Sequence, residues 1–244
     1  MSSSETSLAG VRPAASHIAL LVGVAILVVA CGGGSSGSST SSANPTAMLA
    51  AAKQTVDSTQ SLHFDLSSEN ATGGSVYLKS GNGDAARPSD FGGTFDVYYN
   101  IGTITLKVVS TAGTFYVQLP FTGTWDKTDP SKYGFSDPGK LLDPNMGLSS
   151  LLSHYKTATY AGRDRYHGEL LDEIKVTLPG DLVGALLTSA DTSQDVAGEV
   201  GISVDNGQVR RFVLTGPFFV KGTNSTYTVI LTDYGAKVTI TPPA

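Results

Sequence analysis

The chain has 244 residues, enough for one or two domains and a sizeable buried core. Charged residues make up 15% of it and the formal net charge is -5, so it lacks the basic excess needed to neutralise nucleic-acid phosphates. Its single cysteine excludes an intramolecular disulfide and a multi-cysteine zinc site, and its 28 glycines lean it toward strands and turns.

In chain order, the first feature is an apolar run at 18–29, broken only by Gly23. A bilayer-spanning helix needs roughly 20 such residues, so this shorter run reads as the hydrophobic region of a signal peptide over 1–30. It ends in Val28-Val29-Ala30-Cys31, which resembles the bacterial lipobox. A thioether to diacylglycerol requires sulfur, and cleavage beside it requires a small preceding residue. Cys31 is therefore the expected lipidation site, and two or three acyl chains suffice for stable anchoring where one does not. Glu5 and Arg12 leave together with the signal, so the lipid rather than charge holds the mature chain to the membrane. Residues 31–45 read as a flexible Gly/Ser tether spanning about 20 Å as a coil, and 46–244 as a single domain.

After Pro45, TAMLAAAKQTVDSTQS reads as a helix capped by Thr46, with Met48, Leu49, Ala52 and Val56 on one face. From Leu62 the apolar period changes to two. Leu62, Phe64 and Leu66 share a face, as do Val76 and Leu78, and Phe95, Val97 and Tyr99. The same alternation groups Ile104, Leu106 and Val108, and then Phe115, Val117 and Leu119. These are strands with one apolar face, as in an antiparallel sheet packed on one side. ENATGG, SGNGDAARPSD and STAG between them read as turns.

SDPGKLLDPNMGLSSLLSHY reads as two short helices or helical turns interrupted at Pro144. Strands resume at 156–160 and 173–178, followed by a short helix at 182–187 opened by Pro179-Gly180-Asp181. Asp205-Asn206-Gly207 between two alternating runs predicts a hairpin with a type I′ turn. TYTVILTDYGAKVTITPP reads as strand, turn, strand and stop. The pattern is α+β, with one curved antiparallel sheet and helices on its concave side.

Catalytic motifs are weak. Gly33-Gly34-Ser35-Ser36-Gly37 fits a nucleophile elbow in letters only, because it lies in the tether and lacks a flanking strand and helix. Gly81-Asn82-Gly83-Asp84-Ala85-Ala86 fits a loose dinucleotide pattern, but Arg87-Pro88 stands where the phosphate-binding helix would start, so a hairpin loop is the better reading. His63, His154 and His167 lack metal-ligand spacing. Asp172 and Glu173, adjacent in a strand, point to opposite faces. No enzyme and no cofactor is expected.

Five segments in order carry a resemblance: VVAC at 28–31, FSDPGKLLDPNMGLSSLL at 135–152, GRDRYHGELLDEIKVTLPG at 162–180, VDNGQVRRFVLTGP at 204–217 and LTDYGAKVTITPP at 231–243. With them the chain resembles the LppX/LprA/LprF/LprG lipoproteins of mycobacteria and related actinobacteria. The resemblance implies a half-barrel sheet packed on helices around an apolar cavity, and a lipid-anchored protein on the extracytoplasmic face of the cell membrane. It also implies an acylated lipid, glycolipid or lipoglycan as ligand, carried across the envelope, with a membrane transporter as a further partner. Members often carry a Trp before the last hairpins, where this chain has GISVDNG, so the identity of the ligand does not carry over.

The candidate cavity lining is Phe64, Leu66, Val76, Leu78, Phe95, Val97, Ile104, Leu106, Val108, Phe115, Val117 and Leu119. The alternative is a surface lipoprotein whose core these residues fill, acting through protein contacts. A hydrolase has no supporting motif.

Overall fold

The computed structural model describes residues 43–71 and 73–244. Residues 1–42, where the signal peptide, Cys31 and most of the tether are expected, lie outside them.

The described chain opens with helix α1, Pro45–Ser58. Asn44, not Thr46, caps it: the Asn44 side chain accepts from the amide of Ala47 at 3.2 Å. Pro45 then occupies the first helical turn, where its missing N–H costs nothing. Leu49, Ala52 and Val56 are buried from the face that the spacing predicts.

Five strands follow: β1 Ser61–Glu69, β2 Val76–Ala86, β3 Asp90–Tyr99, β4 Gly102–Thr111 and β5 Thr114–Gln118, with a short β6 at Trp125–Lys127. After the central helical turns come β7 Thr157–Tyr166, β8 Glu169–Leu178, the short helix α2 Gly180–Gly184, β9 Val196–Ser203, β10 Val209–Val220 and β11 Thr223–Thr232. All the strands join one 11-stranded antiparallel sheet in the order β6-β5-β4-β3-β2-β1-β11-β10-β9-β8-β7. The sheet is open, with β6 and β7 at its two edges. Its centre is the ladder of β1 with β11, which joins the first strand to the last, as in His63 opposite Thr232 and Leu66 opposite Val229.

The structure corrects several local expectations. The glycine-rich segment 81–86 is strand, not hairpin loop, and pairs with β1 and β3 along its length. Glycine is required there by close approach. A Cβ at Gly81 would overlap the ring of Phe95, and one at Gly83 would overlap Phe91 and the backbone of Gly92 and Gly93. The aromatic rings cover strand positions that have no side chains of their own.

The segment read as two short helices or helical turns does form two turns, both 3₁₀, at Pro138–Lys140 and Leu148–Leu152 on either side of Pro144, and a third 3₁₀ turn, Pro130–Tyr133, precedes them. Prolines and aspartates recur too closely for a longer helix. Asp129 and Asp137 each cap a turn whose first residue is proline. The hairpin at 204–208 forms, but Asn206 does not adopt positive φ; Gly207 alone does, at 70°. The turn is therefore not type I′. Asn206 Oδ1 instead accepts from the amide of Gln208 at 3.0 Å. No strand forms after β11. Gly235 N donates to Ser61 O at 2.9 Å and Ser61 Oγ to Ala236 O at 2.5 Å, which ties the tail beside the start of β1.

One face of the sheet carries the core. Inward residues of β1 to β5 and of β8 to β11 belong to a single apolar cluster that also includes α1, Phe135, Leu142, Leu148, Leu151 and Leu152. The described chain is thus dominated by one open sheet, with α1, the short α2 and three 3₁₀ turns as its helical elements.

Candidate functional site

Near the middle of this cluster is a narrow apolar void of about 70 Å³. Five adjacent strands form one wall: Phe95 on β3, Leu78 on β2, Phe64 and Leu66 on β1, Tyr227 and Val229 on β11, and Phe212 and Leu214 on β10. The opposite wall is the segment 135–151, through Phe135, Leu141, Leu148 and Leu151, together with Val183, Leu186 and Leu187 at α2.

Of the twelve candidates, Phe64, Leu66, Leu78 and Phe95 meet at the void. Val97, Leu106, Val108, Phe115 and Val117 are buried toward the β3–β5 side and do not line it. Val76, Ile104 and Leu119 are only partly buried, packed against the margin of the core. Sequence reasoning missed Phe212, Leu214, Tyr227 and Val229. Their alternation is legible in VRRFVLTG and TYTVILTD, but the pairing of β1 with β11 that sets Val229 opposite Leu66 and brings the other three alongside is not local.

Few polar groups touch this seam, and those few are tied down. Tyr227 donates its hydroxyl to the carbonyl of Leu78, beside a bulge in β2, and burial pushes its phenol pKa well above the ordinary value. Asp137 Oδ1 accepts from Ser110 Oγ at 2.5 Å and from Gly139 N at 2.9 Å. Ser136 binds the carbonyl of Leu186 through its amide, at 3.1 Å, and through its hydroxyl, at 3.2 Å. Lys53 Nζ on α1 reaches Pro144 O at 3.0 Å. The 3₁₀ layer is held by these few bonds and by apolar packing, and 3₁₀ turns have weak hydrogen-bond geometry of their own.

Asp137 is the strongest of these ties. Asp137→Ala removes a turn cap and strands the fully buried Ser110 hydroxyl, so it is expected to cost about 2–3 kcal/mol. Urea unfolding should show a lowered midpoint at unchanged slope, with a smaller loss for Asp137→Asn.

The other charged groups lie away from the void. Asp172 accepts from Tyr160 Oη at 2.8 Å and from Arg163 Nε at 2.7 Å. Glu173 pairs instead with Arg211 at 3.0 Å. The three histidines among the described residues stand far apart along the chain. His154 Nδ1 lies 3.2 Å from Ser150 O, and His167 sits at the β7–β8 turn with φ 49°. His63 stands beside Asp84 at 2.7 Å and Asp65 at 3.5 Å. Burial opposes its protonation. The hydrogen bond to Asp84 and the charges of Asp65, Asp84 and Asp233 outweigh that and raise its pKa above the usual 6.5. A raised histidine pKa stabilises the fold fully below the unfolded value and loses that contribution as pH rises through the folded one. His63→Gln should therefore lower Tm at pH 5.5 and have little effect at pH 8.5, as read by thermal melts at the two pH values.

Together these features define a class of protein: an open antiparallel sheet with one apolar face, closed over a buried seam by short helical turns, with Asp137 the one charged side chain that lines the seam. The pattern of the LppX_LprAFG lipoprotein family matches residues 44–240, and the chain belongs to that family of envelope lipoproteins.

It is 24% identical over 237 residues to the lipoarabinomannan carrier protein LprG of Mycolicibacterium smegmatis, covering 94% of this chain and 95% of that protein. It is 32% identical over 142 residues to lipoprotein LprA of Mycobacterium tuberculosis, covering 56% of this chain and 55% of that one. Among solved structures it resembles LprF from Mycobacterium bovis, with a TM-score of 0.67 and 18% identity over 83% of this chain and 99% of that one. It also resembles LppX from Mycobacterium tuberculosis, with a TM-score of 0.59 and 14% identity over 80% and 97% of the two chains. LprG is named a carrier protein, and LprA and LppX are named lipoproteins. No helix among the described residues is long and apolar enough to cross a membrane.

Proposed function

We propose that this chain is a lipid carrier or chaperone of the cell envelope, anchored on the extracytoplasmic face of the membrane through Cys31 after removal of residues 1–30. The observation that carries the reading is the apolar seam between the five central strands and the 3₁₀ layer. Its relative LprG is named a lipoarabinomannan carrier, which supports an acylated lipid, glycolipid or lipoglycan as the ligand class here. A membrane transporter would be the partner that hands the ligand on.

The energetics suit a carrier. Burying a methylene from water yields about 0.8 kcal/mol, but a tail leaving a bilayer is already dry, so loading and unloading run near balance. The void of about 70 Å³ is smaller than the roughly 150 Å³ apolar cavity that holds one benzene. An acyl chain therefore enters only if the 3₁₀ layer moves off the sheet.

The small void also favours a second reading, a filled core in a lipoprotein that acts by protein contacts. The two separate on one experiment. The full chain is expressed in a related actinobacterium, purified gently, weighed by native mass spectrometry and extracted for lipid. Stoichiometric acylated lipid in the protein, beyond the anchor on Cys31, is expected of a carrier. A protein that stays empty after incubation with envelope lipids supports the filled core.

A further inference from the structure

Among the described residues, the large hydrophobic side chains that face solvent are Tyr99, Ile101, Phe121, Met146 and Val220. All but Met146 stand at one end of the sheet. Tyr99 opposite Gly102 closes the β3–β4 hairpin around Ile101, and Tyr99 also faces Val76, where the β1–β2 loop ends. Lys107 pairs with Gln118, so the chain leaving β5 runs back toward the start of β4, and Phe121 borders a groove with Thr105. Val220 opposite Thr223 closes the β10–β11 hairpin, and Gly73 of the β1–β2 loop packs against Val220. The turns at the other end are Arg87-Pro88-Ser89, Ala112-Gly113, His167-Gly168 and Asp205-Asn206-Gly207, which expose no large apolar side chain.

Ile101 is 98% exposed and Phe121 107%, so neither contributes to the core. Phe121 also sits at φ 72°, in the left-handed region that disfavours a bulky residue and favours glycine or asparagine. Folding explains neither side chain. The same end is the near end of the seam. Leu78 of the void lies two residues from Val76, and Phe219 bridges Tyr77 at 4.3 Å and Tyr227 at 5.4 Å.

We propose that the hairpin tips carrying Ile101 and Phe121, with Tyr99 and Val220 beside them, dock into the surface of a lipid bilayer. This rests on the anchored-carrier reading. A tether of about 20 Å keeps the domain within reach of the bilayer that holds Cys31, so a weak apolar contact is populated without a specific partner. Apolar insertion drives it more than charge, because Lys221 is the only cation within two residues of these four side chains in sequence and Lys107, beside Phe121 in the groove, adds one more. Docking brings the end nearest the seam to the acyl-chain layer.

The test uses the full chain, lipidated and reconstituted into vesicles of equal parts phosphatidylethanolamine and phosphatidylglycerol. An environment-sensitive fluorophore is attached at Phe121→Cys or, as a control at the opposite end, at Asn206→Cys. Cys31, the only native cysteine, is blocked by its lipid. Nitroxides on the acyl chains should quench the label at 121 and not the label at 206, and raised salt should not release it. Ile101→Asp should lower the docked-to-free ratio about tenfold while the protein still floats with the vesicles and melts as the parent does. A chain that floats with an unquenched label at 121 overturns the docking and leaves the anchor standing. Shielding of residue 121 only when a membrane protein is added overturns it in favour of a protein partner. A chain that does not float overturns the anchor and the docking together.

Discussion

Phe135→Ala is expected to lower stability by about 3–5 kcal/mol, the range for removing a buried aromatic side chain. Phe135 is 3% exposed and stands edge-on to Phe95 at 4.8 Å and to Phe115 at 6.0 Å. It is the point where the 3₁₀ layer is stitched to the β3–β5 side of the sheet. The cavity left by the ring adjoins the void, so the same change should also ease the layer away from the strands. Guanidinium unfolding checks the first effect, and lipid extracted per folded molecule checks the second. A carrier is expected to keep or increase its lipid load while losing stability. A filled-core protein is expected to lose stability alone.

Val229→Phe is expected to act the other way. Val229 lines the void on β11, opposite Leu66 and Phe212. A ring there occupies space that is already empty, so the cost should stay within about 1–2 kcal/mol. Lipid loading should fall at least tenfold, measured as bound acyl chains per protein by mass spectrometry. Val97→Trp, a natural choice from the strand pattern, is the wrong probe. Val97 is fully buried between Leu78 and Ile104 and does not line the void. A Trp there should overpack the core and cost more than the about 1–3 kcal/mol typical of added methylenes, whatever the protein binds. Loading unchanged in Val229→Phe would count against the void as the lipid site.

Local patterns were legible wherever the physical cause was local. Alternation in LHFDL, TITLKVV and TFYVQL reported strands because a strand's side chains alternate faces, and the burial of Leu62, Phe64, Leu106, Val108, Phe115 and Val117 follows it. The helix face of Leu49, Ala52 and Val56 was legible for the same reason. Misreadings arose where a distant partner intervened. SGNGDAA looks like a loop because its glycines have no side chains to pattern, yet Phe91 and Phe95 from β3 cover it. KVTITPP alternates like a strand, but β1 is already paired on both edges by β2 and β11, so the last residues find no free edge there.

By itself, then, the sequence determined the class of those elements whose side chains alternate or recur locally, the candidate lipid-attachment motif at Cys31 and which residues of the first strands face inward. Only the tertiary structure decided which of those residues meet. One wall of the void is β3, β2, β1, β11 and β10 side by side, joining strands more than a hundred residues apart in the chain, and the other is a segment of 3₁₀ turns whose position is set by Asp137, Ser136 and Phe135. Periodicity specifies a face, because that is a property of one chain segment. A cavity is the space between faces, and it exists only once strand order is chosen.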